Sequence, residues 1–279
     1  MHQRTELTAA LHALGVAPGD VVMLHASVRA VGEIAGGPDE IHLALSDALS
    51  PAGTILMYAG CPRYVDEVGR GDLSPEQEAE VLEKLPPFDA ATARAARDHG
   101  ILVVFLRTWP GTRACDHVTR FIARGSQAEL LCAPPPWDYA LGRGSALDCL
   151  VALDGRILLL GSDHDAVTFL HYVEHVADFP DKRIARFRVP VLDGGTRVWR
   201  WVAEVDSSSS GAHAHWPDRF FARLVDAHLA ASGNHGGRVG DAQSYLISAR
   251  DLLAFARPWM ERIAANAAAV AELDRCARP

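Results

Sequence analysis

The chain has 279 residues, of which 49% are hydrophobic and 22% charged, the balance of an ordinary globular protein that can bury a sizeable core in one domain spanning residues 1–279. The formal charge of −8 and the lack of a Lys/Arg stripe argue against a nucleic-acid partner, and no apolar run approaches the roughly 20 residues of a membrane-spanning helix. The five cysteines, odd in number and without CxxC spacing, predict reduced thiols in a cytoplasmic protein rather than a disulfide frame or a zinc site.

The first 60 residues predict a βαβ unit. A charged amphipathic helix over residues 5–14, which is not a signal peptide, precedes a buried strand at 21–25, a helix at 39–49 and a second strand at 53–58. A polar, glycine-rich loop follows the first strand, an order that suits a phosphate-bearing ligand bound at a helix N-terminus. The loop lacks the lysine of a P-loop and the GxGxxG spacing, so this pattern alone is weak support.

The next segment is irregular and acidic. It predicts a loop-and-helix insertion at about residues 60–100 that forms one wall of a substrate cleft, and a solvated surface is the alternative. An apolar run at 101–106, a strand after His117 and a proline-rich loop at 133–137 come next. Residues 142–145 then open a short helix.

The all-apolar run at 157–161 predicts a strand buried on both faces, and a helix over residues 166–177 follows it. The apolar stripe of this helix consists of Phe169, Tyr172, Val173 and Val176. The opposite, polar stripe consists of Thr168, His171, Glu174, His175 and Asp178. Thr168, His171 and Glu174 are successive i+3 neighbours, close enough to hydrogen-bond or share a proton, as a proton-accepting imidazole requires. A plain solvated face is the competing interpretation.

The last third predicts a β-hairpin, with strands at 184–192 and 197–203, and then helices at 217–231 and 249–277 around a strand at 243–247. Glu204 and Asp206 leave the hairpin on the same face, where they could grip an ammonium group or be solvated. The alternation of strands and helices, with one hairpin added, predicts a layered α/β fold with a mixed sheet.

Two other chemistries compete for these residues. His171, Glu174 and His175 fit H-x-x-E-H, the inverted zinc-protease pattern, so a zinc-dependent hydrolase with Glu204 as a conceivable third ligand is the alternative function. In a chain with 13 histidines, so short a pattern arises easily by chance. The candidate nucleophiles are Ser27, Cys115 and Ser145, and none of them lies in a G-x-S-x-G elbow.

Eight segments, in order along nearly the whole chain, carry a family resemblance: 14–32 (LGVAPGDVVMLHASVRAVG), 36–37 (GG), 53–59 (GTILMYA), 86–93 (PPFDAATA), 144–147 (GSAL), 158–183 (LLLGSDHDAVTFLHYVEHVADFPDKR), 204–208 (EVDSS) and 239–255 (VGDAQSYLISARDLLAF). Together they resemble the antibiotic 3-N-acetyltransferases, the aminoglycoside-modifying family that is structurally distinct from the GNAT acetyltransferases. The resemblance implies a layered α/β/α sandwich with a central mixed sheet.

It also implies acetyl transfer from acetyl-CoA to the 3-amino group of a 2-deoxystreptamine aminoglycoside, which confers antibiotic resistance without a metal. His171 is then the general base, Glu174 orients it or stabilises its charged form, and Thr168 lies beside them. The implied coenzyme A contacts are His25, Ser27, Val28, Arg29, Gly32, Gly36, Gly37, His117 and Ser145. The implied contacts with the polycationic sugar are Tyr64, Asp66, Glu67, Asp89, Glu204 and Asp206.

The chain departs from the family pattern at residues 115–118, where Cys-Asp-His-Val replaces the frequent Ser-Ala-His-Pro and leaves the local contact with coenzyme A open. Direct attack of the amine within a ternary complex needs no covalent intermediate, and the tetrahedral oxyanion needs donors such as the Thr168 hydroxyl or a backbone N–H near Ser27 or Ser145. Three functions stay open: the acetyltransferase, the zinc hydrolase and a non-catalytic binder of cationic sugars or coenzyme A. The partners expected are an aminoglycoside and coenzyme A, without nucleic acid or membrane, for a monomer or homodimer.

Overall fold

The computed structural model describes residues 1–60, 73–179, 182–207 and 216–277. The strands are β1 (Val21–Ala26), β2 (Thr54–Tyr58), β3 (Arg113–Ala114), β4 (Phe121–Gly125), β5 (Arg156–Leu160), β6 (Ile184–Asp193), β7 (Thr196–Val205), β8 (Gly237–Val239) and β9 (Ala242–Ser248). Seven of them form one mixed sheet in the order β3-β4-β2-β1-β5-β9-β8, and β6 and β7 form a separate two-stranded sheet.

Helices surround this sheet. They are α1 (Arg4–Ala13), α2 (Val28–Val31), α3 (Asp39–Leu49), α4 (Pro75–Lys84), α5 (Ile101–Thr108), α6 (Ala128–Leu131), α7 (Ala146–Ala152), α8 (Phe169–Val176), α9 (Phe220–Ser232), α10 (Ala249–Ala265) and α11 (Val270–Cys276). Short 3₁₀ turns lie at Arg97–His99, His164–Ala166 and Ala267–Ala269. Within the described ranges, no helix combines the length and the apolarity that crossing a membrane requires.

The sheet is covered on both faces, because successive residues of its central strands point to opposite sides. Leu158 and Leu160 of β5 pack with α1, α3 and α5, whereas Ile157 and Leu159 pack with α7, α8, α9 and α10. All four side chains are at most 2% exposed. The predicted layered α/β/α sandwich with a central mixed sheet is therefore confirmed, including a strand at 157–160 that is buried on both faces.

The topology determines where a ligand site can form. β1 pairs in parallel with both β2 and β5, whereas β4 and β9 join the outer sides in antiparallel. The carboxyl ends of three neighbouring strands therefore meet at one edge, the position where open α/β sheets bind ligands. Tyr58 ends β2 at this edge, and the turn that leads into α8 follows the end of β5.

Three predicted helices have different limits in the structure. The helix predicted from residue 166 begins at Phe169, because the Asp163 carboxylate accepts the Asp165 N–H at 2.9 Å and caps a short 3₁₀ turn instead. The helix predicted from residue 217 begins at Phe220. The helix predicted over 249–277 is interrupted at Asn266, whose side chain accepts the Ala268 N–H and starts a new turn.

The segment predicted as an insertion is partly described. It contains α4, which leads to Phe88 beside the hairpin formed by β6 and β7. The Phe88 N–H donates to the Pro190 carbonyl at 2.8 Å, and the Leu192 N–H donates to the Phe88 carbonyl at 2.7 Å. These bonds fix one side of the segment against the hairpin.

Candidate active site

A cleft of about 500 Å³ opens at the carboxyl edge of the parallel strands. Its polar lining consists of Tyr58, Asp98, His99, Thr119, Asp165, Thr168, His171, Glu204, Asp206 and Ser207. A second hollow of about 330 Å³ shares Asp165, His171 and Ser207 with this cleft and adds an aromatic side formed by Trp216, Phe220 and Phe221. His171 thus lies where the two hollows meet.

The first turn of α8 places a histidine next to a buried carboxylate. His171 Nδ1 lies 2.5 Å from Glu174 Oε2, one helical turn further along the chain. The Ser207 hydroxyl donates to the same carboxylate oxygen at 3.0 Å and lies 3.3 Å from Nδ1. Because Nδ1 faces an acceptor, it carries the ring proton, and Nε2 is left with the lone pair that can take a proton from a substrate.

The surroundings of the pair favour a charged imidazole. Burial lowers the His171 pKa, but the charge of Glu174 and its hydrogen bond raise it, and Glu204 and Asp165 add to the attraction, so that the net pKa is raised. The His171 side chain is 33% exposed, whereas that of Glu174 is 1% exposed. The interpretation of this helix face as solvated is therefore wrong for Glu174.

Thr168 lies at the N-terminus of α8, and its side chain makes no capping hydrogen bond there. Its hydroxyl is therefore available at the cleft that it lines together with His171. Phe221 of α9 packs edge-on against the imidazole, with ring centroids 4.9 Å apart, and restricts the rotation of the ring. The predicted trio of Thr168, His171 and Glu174 is thus assembled at one place.

Glu204 and Asp206 both line the cleft and are 7% and 3% exposed, so the interpretation of these carboxylates as solvated is wrong. Glu204 accepts the Ala140 N–H at 2.8 Å, and its other oxygen lies 3.2 Å from His175 Nε2. Asp206 Oδ2 lies 3.1 Å from Arg183 Nε. Both carboxylates contribute negative potential to the cleft that they line.

The other predicted sugar contacts are placed differently. Tyr64, Asp66 and Glu67 lie outside the described residues. The structure does not bring Asp89 to the cleft lining: its carboxylate accepts the Thr92 hydroxyl at 2.7 Å and the Ala91 N–H at 3.0 Å, and these bonds lower the Asp89 pKa. Asp89 therefore stabilises a turn in the predicted cleft wall. Ala96, Asp98 and His99, further along that wall, do line the cleft.

Among the described residues, none of those predicted to contact coenzyme A lines either hollow. Ser27 caps α2 by accepting the Ala30 N–H at 3.3 Å. Val28, Arg29, Gly32, Gly36 and Gly37 follow in and after α2, where Arg29 and Gly36 are exposed. These residues lie beyond the carboxyl end of β1 and stay predictions.

Of the two predicted histidines on this side, His117 is buried and His25 is half-buried. His117 is 0% exposed, and its Nδ1 accepts the Thr119 N–H at 3.0 Å. Burial lowers the pKa of His117, and burial together with nearby His99 lowers the pKa of His25 to about 4. Both imidazoles are therefore neutral at pH 7, and a role in coenzyme A binding stays a prediction for each.

Ser145 has a structural role that the structure shows directly. Its hydroxyl accepts the N–H groups of Leu147 and Asp148 at 3.2 and 3.3 Å and caps α7. We expect Ser145→Ala to reduce the free energy of unfolding by about 1 kcal/mol, as the loss of an N-cap does, and Ser145→Thr to retain most of it. Urea denaturation measures this loss; a raised KM for acetyl-CoA at unchanged stability would instead favour a cofactor contact.

Several cleft residues were not identified in the sequence. Tyr58 and His99 lie with ring centroids 4.8 Å apart and line the cleft, and Asp165 lines both hollows. The position of Tyr58 at the end of a predicted strand could have identified it as a cleft residue, whereas no pattern in the sequence marks His99. Asp165 also fixes the neighbouring helix, since its Oδ1 accepts the Ala222 N–H at 3.0 Å.

The competing chemistries gain no support from this geometry. His171 and His175 contact different carboxylates, and among the described residues no group of three or more His, Cys, Asp or Glu side chains could hold a metal ion. Burial raises the pKa of Cys115 to about 11, which leaves it a poor nucleophile. The hydroxyls of Ser27 and Ser145 accept backbone N–H groups at helix ends.

The chain is similar to known proteins over nearly its whole length. The family model described as aminoglycoside 3-N-acetyltransferase matches residues 23–261. Aminoglycoside N(3)-acetyltransferase III from Pseudomonas aeruginosa is 41% identical over 264 residues, which cover 93% of this chain and 94% of that protein.

Solved structures agree with this similarity. AAC-IIIb in a binary complex with CoASH has a TM-score of 0.84 and 41% identity and covers 94% of this chain and 97% of its own. AAC-VIa bound to sisomicin has a TM-score of 0.83 and 35% identity and covers 94% of this chain and 98% of its own.

Proposed function

Because the chain belongs to the aminoglycoside 3-N-acetyltransferase family, we propose that it transfers the acetyl group of acetyl-CoA to the 3-amino group of a 2-deoxystreptamine aminoglycoside. This reaction would confer resistance to the antibiotic. The observation that carries the proposal is the placement of His171, paired through Nδ1 with buried Glu174, at the junction of two hollows. The described cysteines are free thiols, which supports a cytoplasmic location.

His171 supplies the proton acceptor that the chemistry needs. The amine attacks the thioester carbonyl carbon as the neutral base, and its nitrogen must lose a proton as the amide forms. As the new C–N bond forms, Nε2 takes the proton from the amine, and Glu174 stabilises the resulting imidazolium. The tetrahedral intermediate then collapses, the C–S bond breaks, and the imidazolium returns the proton to the sulfur of coenzyme A. The products are the acetylated aminoglycoside and free coenzyme A.

Charge also develops on the carbonyl oxygen in this step. A donor aimed at that oxygen stabilises the transition state more than the substrate. The Thr168 hydroxyl lines the same cleft as His171 and is not used as a helix cap, so we assign it this role. The Ser207 hydroxyl is already committed to Glu174 and serves to hold the carboxylate in place.

Two adjoining hollows support direct transfer in a ternary complex. Substrates bound on either side of His171 would bring the amine and the thioester together without an acetyl-enzyme intermediate. The cleft of about 500 Å³, lined by Asp98, Asp165, Glu204 and Asp206, is suited to the polycationic aminoglycoside.

Asp165, like Asp98, is an exposed carboxylate of this set, so its charge is available to a substrate ammonium group. We expect Asp165→Asn to raise KM for gentamicin about tenfold with a smaller change in kcat, because hydrogen bonds to charged groups contribute roughly 1.5–3 kcal/mol. Asparagine keeps the acceptor for the Ala222 N–H, and Asp154→Asn, at an exposed site on another loop, is the matched control. Steady-state kinetics in increasing KCl checks the assignment; an unchanged KM would remove Asp165 from substrate binding.

Product analysis tests the proposed function. The protein is incubated with acetyl-CoA and gentamicin, coenzyme A release is followed with a thiol reagent, and the acetylated position is identified by NMR. We expect gentamicin-dependent release and a single acetyl group on the 3-amino nitrogen. No release with a panel of 2-deoxystreptamine aminoglycosides, or acetylation at another amine, would contradict the proposal.

A further inference from the structure

The hairpin formed by β6 and β7 has one buried and one exposed face. Its inner face, which includes Phe187, Val189 and Val202, packs against Phe88. Its outer face, here called the hairpin face, consists of Arg186, Arg188, Arg197, Trp199 and Trp201. Trp199 is 39% exposed and Trp201 is 61% exposed. Two large aromatic side chains are therefore presented to solvent on a strand pair that is separate from the main sheet.

The hairpin face is ordered by stacking. The Arg188 guanidinium lies over both tryptophans, 5.2 Å from the Trp199 ring centroid and 5.7 Å from that of Trp201. The Arg197 guanidinium lies 4.9 Å from the Trp199 centroid on the same face. In the part of the chain that the structure describes, no carboxylate forms an ion pair with Arg186, Arg188 or Arg197. The face thus carries unneutralised positive charge on a chain whose formal charge is −8.

An acidic helix lies directly beside this face. None of the residues of α4 is buried, and Glu76, Glu80 and Glu83 fall at i, i+4 and i+7 on one side of it. Arg197 Nη2 donates to the Leu82 carbonyl at 3.0 Å, which holds α4 next to the hairpin. A hollow of about 430 Å³ lies between them and has Glu83 on one side and Arg188 and Trp199 on the other.

We propose that the hairpin face and α4 together form the interface of a symmetric homodimer. In a two-fold dimer the same patch meets itself, so it must carry both halves of each complementary pair. This patch carries both halves, since a two-fold axis near the hollow would place the arginines of one copy on the α4 glutamates of the other. Tryptophan and arginine are the residues that most often dominate interface energies. The glutamates beside the patch and the charge of −8 disfavour a nucleic-acid occupant.

Charge reversal in separate chains tests this arrangement. Sedimentation velocity is measured over a concentration series for the wild-type protein, for Arg188→Glu and for Glu83→Lys. We expect a concentration-dependent dimer for the wild type and a dissociation constant raised by about tenfold or more in each single variant. Mixing the two variants should restore dimers, because both cross-interface pairs are then of opposite charge, and contacts within one chain cannot produce this result.

Two controls separate loss of the interface from unrelated effects of the substitutions. Arg275→Glu reverses an exposed arginine on α11 and should leave the dimer unchanged, and thermal unfolding verifies that every variant is folded. A wild-type protein that stays monomeric at all concentrations would overturn the proposal. So would mixed variants that stay monomeric, or quenching of tryptophan fluorescence by single-stranded RNA that Arg188→Glu abolishes in a monomeric wild type.

Discussion

Replacement of His171 by alanine is expected to lower kcat for gentamicin acetylation by about 10²- to 10⁴-fold, the contribution that a positioned general base typically makes. The variant loses the imidazole that lines both hollows, while Asp165, Glu204 and Asp206 remain in the cleft lining. Gentamicin should therefore still bind. Stopped-flow detection of coenzyme A release gives kcat, and isothermal titration gives the dissociation constant for gentamicin.

The matched control is His235→Ala, which removes an exposed histidine from the loop after α9. It should have wild-type kcat and affinity. A His171→Ala variant that keeps wild-type kcat would show that another group accepts the amine proton. A variant that loses gentamicin binding in proportion to its loss of turnover would assign His171 to substrate binding instead.

Glu174→Gln should reduce kcat by about tenfold or more and move the acidic limb of the pH profile of kcat/KM to lower pH. In the wild type the His171 pKa is raised, because the attraction of Glu174 outweighs the opposing effect of burial. The base acts in its neutral form, so the rate falls as the pH drops through that raised pKa. Glutamine removes the charge at position 174 but leaves His171 buried, so the His171 pKa decreases. The acidic limb of the profile therefore moves to lower pH.

The profile is measured for the wild type, Glu174→Gln and Ser207→Ala. Ser207→Ala removes one hydrogen bond to the carboxylate but keeps its charge, so it should shift the limb much less. An unshifted limb in Glu174→Gln, or a shift to higher pH, would mean that the titration seen in kcat/KM does not belong to the His171–Glu174 pair.

The fold and the central pair were predictable from local patterns. The apolar run at 157–160 has the length and composition of a doubly buried strand, and the structure places it inside the sheet, between β1 and β9. His171 and Glu174 are separated by three positions, which in any helix brings their side chains within reach of each other. Both features depend on residues that are close together in the chain, so the local sequence is enough to predict them.

Other parts of the site depend on contacts between distant segments. Ser207 reaches Glu174 across 33 positions of the chain, from the end of the hairpin to α8. The burial of Glu174 and the location of His99 likewise result from tertiary packing, which leaves no periodic signal in the sequence. The contacts with coenzyme A came from the family resemblance, and in the described residues Ser27 and Ser145 cap helices.

Chemical rescue of His171→Ala by free imidazole tests the central claim most directly. The side chain is one-third exposed between two hollows, so its removal leaves a space that solvent imidazole can enter. If His171 is the base, coenzyme A release by His171→Ala in the presence of gentamicin will rise with imidazole concentration and follow the neutral form of imidazole as the pH is changed. A rate that imidazole does not raise, in a variant that still binds both substrates, would contradict a general-base role for His171.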